Sequence, residues 1–222
     1  MTEEQSLIRS QLYAALAQGF CKPEAAVAEE DSLAETLRRA AAAISAERLE
    51  PIADETVDSL TIFDDEPEPA LRALEMEYNR LFVGPGRPQT PPYESFYRDK
   101  WGLVMGPSAR DVERRYAEAG LALAADHRDL PDHVATELGF MAYLATQGVQ
   151  AQDEERQLWL EREHLFLRDH LSEWLPVFCR RVEEASQHPF YTALAELTET
   201  FVSLDMEWCK TCHESQPEGA MG

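Results

Sequence analysis

Cysteine is scarce in this chain. Four residues of 222, Cys21, Cys179, Cys209 and Cys212, are too few for a disulfide scaffold of this size and suit a reducing compartment. Basic charge is short as well: 20 Lys and Arg face 42 Asp and Glu, a net charge of −22. Phosphate neutralisation dominates nucleic-acid affinity, so this balance speaks against a nucleic-acid partner, and against anionic membranes for the same reason. No apolar run approaches the roughly 20 residues that span a bilayer. The opening "MTEEQSLIRS" has neither the basic segment nor the apolar core of a signal peptide. A cytoplasmic protein with no membrane insertion is expected. Catalytic signatures are missing too. There is no H-E-x-x-H, no G-x-S-x-G and no phosphate-binding glycine loop, and the six histidines are scattered. These absences argue against an enzyme and call for no cofactor.

What the chain does have is apolar spacing of helical period. Thr2 and Gln5 stand at capping-box spacing, and Ile8, Leu12, Leu16 and Phe20 follow on one face up to Lys22-Pro23. Ser32 and Glu35 repeat that signal around Leu33, Leu37 and Ile44. A short helix is expected over about 51–62. Another runs from the acidic "DDEPEP" through Leu71, Leu74, Tyr78 and Leu81 to Gly84. Ser108 is placed to cap a helix carrying Val112 and Tyr116 and ended by Gly120. "LPDHVATELGFMAYLATQG" carries Val134, Leu138, Met141 and Leu144; residues 151–170 and the stretch from Ser172, with Pro176 in or just after its first turn, follow. After a break at His188-Pro189, a final helix holds Leu194, Leu197, Phe201, Leu204 and Trp208. No segment sustains the period-two alternation of a strand. The pattern predicts an all-α single bundle of about nine or ten helices. It occupies residues 1–208 and is followed by a flexible tail over 209–222.

One stretch breaks the pattern. "LFVGPGRPQTPPYESFYRD", residues 81–99, packs two glycines and four prolines between Gly84 and Pro92, then Tyr93, Phe96 and Tyr97. A connection longer than about 12–15 residues within a compact domain is functional or disordered more often than a mere spacer. Disorder would leave those aromatics in water. Prolines restrict the backbone and lower the entropy lost on ordering, so the loop presents its aromatics in a preset shape.

"EYNRLFVGPGRPQTPPYESFY" resembles the signature of the TorD/DmsD family, cytoplasmic chaperones for molybdenum-containing oxidoreductases. "PDHVATELGFM", residues 131–141, is similar to a second family signature, and "HPFYTALAEL", residues 188–197, to a third. The resemblance covers about residues 5–205. It implies an all-α bundle without catalytic activity, which binds the N-terminal, often twin-arginine, leader of the client's catalytic subunit. The client is held until its cofactor is installed and before export. A NarJ-like subgroup instead serves nitrate reductases through a leader that is not exported in the same way. Homodimers occur in the family, sometimes through exchange of helices.

Carried over residue by residue, the implied leader-binding positions are Tyr78, Leu81, Phe82, Pro92, Tyr93, Glu94, Ser95, Tyr97, Gly106, Asp132 and His133. Tyr93 stands where some members have tryptophan, and Glu94 where others tolerate glycine. Carboxylates take arginine in bidentate hydrogen bonds. Asp132 is a candidate for that role, with Glu94, Asp99 or Glu137 beside it. Asp132, following Pro131 at a predicted helix start, is equally placed as an N-cap.

"CKTCH", Cys209 to His213, matches the C-x-x-C-H pattern of c-type haem attachment. That attachment requires export, and no export signal is visible. Cys209, Cys212 and His213 also offer three ligands to zinc, but a closed structural site takes four. Free thiols in a tail, with no bound metal, are the reading adopted.

Overall fold

Leu12, Leu16 and Phe20 recur at helical spacing and are fully buried, as the sequence pattern requires of the first helix. The computed structural model describes residues 3–23, 33–60, 67–86, 88–102, 104–124 and 129–214. The helices are α1 (Glu3–Gly19), α2 (Leu33–Ser45), α3 (Glu50–Asp58), α4 (Pro67–Tyr78), α5 (Glu94–Arg98), α6 (Pro107–Glu118), α7 (Val134–Gln150), α8 (Asp153–Phe166), α9 (Ser172–Ala185) and α10 (Pro189–Glu214). Wider π-helical turns continue α4 over Asn79–Val83 and join α8 to α9 over Leu167–Leu171. Among the described residues there is no strand, only one isolated bridge. The fold is all-α, as expected. No described helix is long and apolar enough to cross a membrane. The caps expected at Thr2 and Ser32, the side chains of Cys212 and His213, and residues 215–222 lie outside the described residues.

Helix α1 packs along α7 and α2, α7 against α8, and α10 against α9 and α3. The core between them is rich in aromatic rings. Phe82 meets Tyr78, Phe20, Phe178 and Tyr191 at ring-centre distances of 5.2–6.2 Å, in the tilted and edge-on geometries that ring quadrupoles favour. Gly120 ends α6 as expected: its φ of +78° suits a residue with no Cβ.

Two helix starts differ from the expectation. The N-cap of α6 is Gly106, not Ser108, and Ser108 lies in the first turn. The N-cap of α7 is His133, whose Nδ1 accepts from the Ala135 amide, so Asp132 is free for another contact.

A charged network is buried where α1, α8 and α10 meet. Arg9 donates from Nε and Nη2 to the two carboxylate oxygens of Asp205, at 2.5 and 2.6 Å, and from Nη2 to Glu163. The Tyr13 hydroxyl donates to Asp205 at 2.6 Å. Burial works against the Arg9 charge, but Asp205 and Glu163 hold its pKa well above the ordinary value. Burial pushes the Glu163 carboxyl up even beside Arg9.

Candidate functional site

The proline-rich segment does not wander. After the π-helical turn that ends at Val83, the Thr90 amide and hydroxyl both donate to the Leu81 carbonyl, at 2.9 and 3.1 Å. The chain is thereby turned back on itself. It then pairs with the residues before α7. The Glu94 amide donates to the Asp132 carbonyl at 3.0 Å, the Val134 amide to the Pro92 carbonyl at 2.9 Å, and Tyr93 and His133 form an antiparallel bridge. Their rings meet edge-on, with centres 5.4 Å apart. Asp132 Oδ2 accepts from the Ser95 amide at 2.8 Å and so caps the first turn of α5 from a distant part of the chain. The third motif joins too, through Tyr191 against Phe82. Three sequence motifs are one structural unit.

Beneath this junction lies a row of buried charges. Glu94 accepts from Arg98 and stands 2.9 Å from His170 Nδ1. Trp174 Nε1 donates to Glu137 Oε2 at 3.0 Å, and the Trp174 ring stacks on Tyr97 with centres 5.5 Å apart. Burial pushes the Glu137 carboxyl well above the usual range, and the neighbouring Glu94 charge adds to the shift. Burial raises Asp132 as well.

The folded chain therefore keeps a proton that an unfolded Glu releases above about pH 4.3. Stability should decline as pH rises through that value, and level off only above the folded pKa. Glu137→Gln cannot ionise and still offers Trp174 an acceptor. It should flatten the decline between about pH 4.5 and 7, with a residual slope from Asp132 and Glu163. Denaturation midpoints across that range check this. Equal slopes in both proteins would mean that Glu137 is ionised in the fold.

Gly106 has a packing reason for its identity. A Cβ there would lie 2.0 Å from Asp99 Oδ2 and 2.8 Å from its Cγ. Only a glycine admits the Asp99 carboxylate, which accepts from the Ser108 amide at 3.1 Å and hydroxyl at 2.8 Å and so caps α6.

The structure places the eleven nominated positions as follows. Tyr78, Leu81 and Phe82 are buried in the aromatic core. Pro92, Glu94, Ser95, Asp132 and His133 are buried in the junction, and Tyr93, Tyr97 and Gly106 are half-buried at its edge. They come together, but most as framework. Of the carboxylates considered for arginine, Glu94, Asp132 and Glu137 are at 0% exposure, out of reach of a ligand, and Asp99 is engaged as a cap. Sequence reading missed an open cleft of about 660 Å³ beside the junction, between α6, the π-helical turn at Leu167–Leu171 and α9. Arg98, Asp111, Arg115, Asp169, His170 and Glu173 are among its lining residues. The only local hint is the Glu94–Arg98 spacing of i,i+4. Among the described residues no cluster of His, Cys, Asp or Glu is arranged to hold a metal ion.

The profile of the family described as nitrate reductase delta subunit matches residues 30–180, which include the proline-rich segment and the start of α7. Among curated relatives, the chaperone protein TorD of Photobacterium profundum is 32% identical over 139 residues, 62% of this chain and 64% of that one. TorD of Vibrio parahaemolyticus is 26% identical over 160 residues, 72% and 74% of the two chains. The chain thus spans 64% and 74% of the length of these two relatives. These relatives are named as chaperones, not as enzymes. A crystal structure of a proposed redox enzyme maturation protein from Archaeoglobus fulgidus superposes with a TM-score of 0.51 at 18% identity, covering 90% of this chain and 93% of that one. At that identity the likeness bears on the fold alone.

Proposed function

This chain belongs to the nitrate reductase delta subunit family, and we propose that it is a chaperone for the catalytic subunit of a molybdenum-containing oxidoreductase, whose N-terminal leader it binds. It would hold that subunit in the cytoplasm for cofactor insertion and ahead of any export. The observation that carries this reading is the family match over residues 30–180, together with relatives named as chaperones. The matched span contains the whole junction of the proline-rich segment with α7. Tyr93 and Tyr97 are the nominated aromatics with surface left to meet a peptide. The buried positions around them serve by setting the shape of that surface.

Calorimetric titration with leader peptides of candidate client subunits tests the proposal. Saturable binding by one leader is expected, and folded protein that binds none would overturn it. The family's description as nitrate reductase delta subunit supports a second client class, a nitrate-reductase type subunit, whose leader would, as in the NarJ-like subgroup, not be exported in the same way. Binding confined to that leader would assign the chain to it.

A further inference from the structure

The nominated apolar side chains are closed to a ligand. Tyr78, Leu81 and Phe82 lie in the core at 7%, 0% and 4% exposure, so an apolar segment of a partner has no access to them. An apolar surface is open elsewhere. After Gly120 ends α6, the chain runs beside α7, and the two bound an open groove of about 160 Å³. Buried Tyr116 and Phe140 form its inner wall, and half-buried Leu121, Leu123 and Tyr143 its rim. Not one of its lining residues is charged, in a chain where 28% of residues are.

Gly139 supplies the second observation. It stands inside α7 among the groove's lining residues, and a Cβ built on it would meet nothing within 4 Å. A glycine within a helix is less favourable than an alanine, and an alanine fits here without a clash. The packing of the described chain therefore gives no reason for this glycine, unlike Gly106, which admits Asp99. What the missing side chain does provide is a low floor. Small residues on a helix let another backbone or a bulky side chain come close.

We infer that this groove docks the apolar stretch of a client leader, with Gly139 as its floor and Leu121, Leu123 and Tyr143 as its rim. The identity of the partner rests on the function proposed above. A leader carries an apolar run of about 7–15 residues behind its basic segment. The uncharged lining suits that run and offers the basic segment nothing to pair with. Size agrees: an apolar cavity of about 150 Å³ holds a benzene-sized group, so this groove takes a leucine or phenylalanine side chain. Position agrees as well. Thr136, Gly139, Phe140 and Tyr143 stand at i, i+3, i+4 and i+7, on one face of α7. That face begins one turn past His133, the bridge partner of Tyr93, and runs about 10 Å along the helix. Tyr116, in the inner wall, donates to the Pro131 carbonyl at 2.8 Å, so groove and junction are joined. A segment that meets Tyr93 can continue onto the groove.

The test is a calorimetric titration with two synthetic peptides. One bears two adjacent arginines before a leucine- and alanine-rich stretch, and the other has serine in place of each leucine. The proteins are the wild-type chain, Gly139→Ala and Gly139→Leu. Both variants should melt at or above the wild-type temperature, because each brings a better helix former into open space. Gly139→Leu fills the floor and should weaken the leucine peptide about tenfold or more, and Gly139→Ala about threefold. The serine peptide should bind wild type about tenfold more weakly than the leucine peptide and respond little to either variant. If Gly139→Leu does not fold, the same comparison is read from Gly139→Ala. If the leucine peptide binds folded variants as tightly as wild type, or no better than the serine peptide, the groove is not its seat and the inference falls alone. If wild type binds neither peptide, the proposed function falls, and this inference with it.

Discussion

Arg9→Met should lose about 3–5 kcal/mol of unfolding free energy at neutral pH, because removing one partner of a buried ionic network strands the others. Asp205 and Glu163 would remain in the interior at 0% and 2% exposure with no cation between them. Without Arg9, nothing offsets the burial that already raises the Glu163 carboxyl. The variant's deficit should therefore shrink as pH falls toward the ordinary carboxylate range, where Glu163 takes up its proton at little further cost. Chemical denaturation at neutral and mildly acidic pH reads both effects. A deficit below about 1 kcal/mol would mean that the network relaxes to solvent when Arg9 is removed. The size of the loss has a topological cause as well. Arg9 joins α1 to α8 and α10, and Tyr13 on α1 also donates to Asp205. Severing that joint loosens the first and last described helices from each other.

Trp174→Ala should cost about 3–5 kcal/mol, the range for deleting a large aromatic from a packed core. Trp174 is at 0% exposure and touches Phe178 and Tyr97 with its ring and Glu137 with its indole nitrogen. Trp174→Phe separates these roles. It keeps most of the packing but leaves Glu137 Oε2 without a donor, a loss of about 1–3 kcal/mol for an unsatisfied buried group. The partial variant matters for function, because Tyr97 sits on the short helix that the proline-rich segment delivers. If Trp174 positions that helix, Trp174→Phe should weaken leader binding beyond its effect on stability. Stability and leader affinity measured on the same preparations separate the two. Full stability in Trp174→Phe would remove the indole hydrogen bond from the account.

The cores of the helices were legible because their cause is local. Leu12, Leu16 and Phe20 recur at a spacing that puts them on one side of any α-helix, and the structure buries all three. Gly84 and Gly120, read as stops, both adopt the positive φ that favours glycine. Caps were less legible, since a cap needs only an acceptor near a free amide, whatever part of the chain supplies it. Asp132 was set at the start of α7 by its position, yet it caps α5 through Ser95, 37 residues away, while His133 caps α7. The long segment was marked as unusual by its prolines and aromatics. Its helix α5 was not foreseen, because five residues following Pro91-Pro92 carry no amphipathic period of their own.

The sequence by itself determined the all-α class, the helical faces and the three motifs, because each is written in residues a few positions apart. Only the tertiary structure decided which carboxylates are available to a ligand. Asp132, Glu137 and Glu173 look alike along the chain, but two are sealed at 0% exposure and the third lines an open cleft. Burial and pairing are sums over neighbours distant in the chain. His170 meets Glu94 across 76 residues, and Arg9 meets Asp205 across 196. No local period encodes such a meeting, so the buried charges and the exposed ones separate only once the helices have packed.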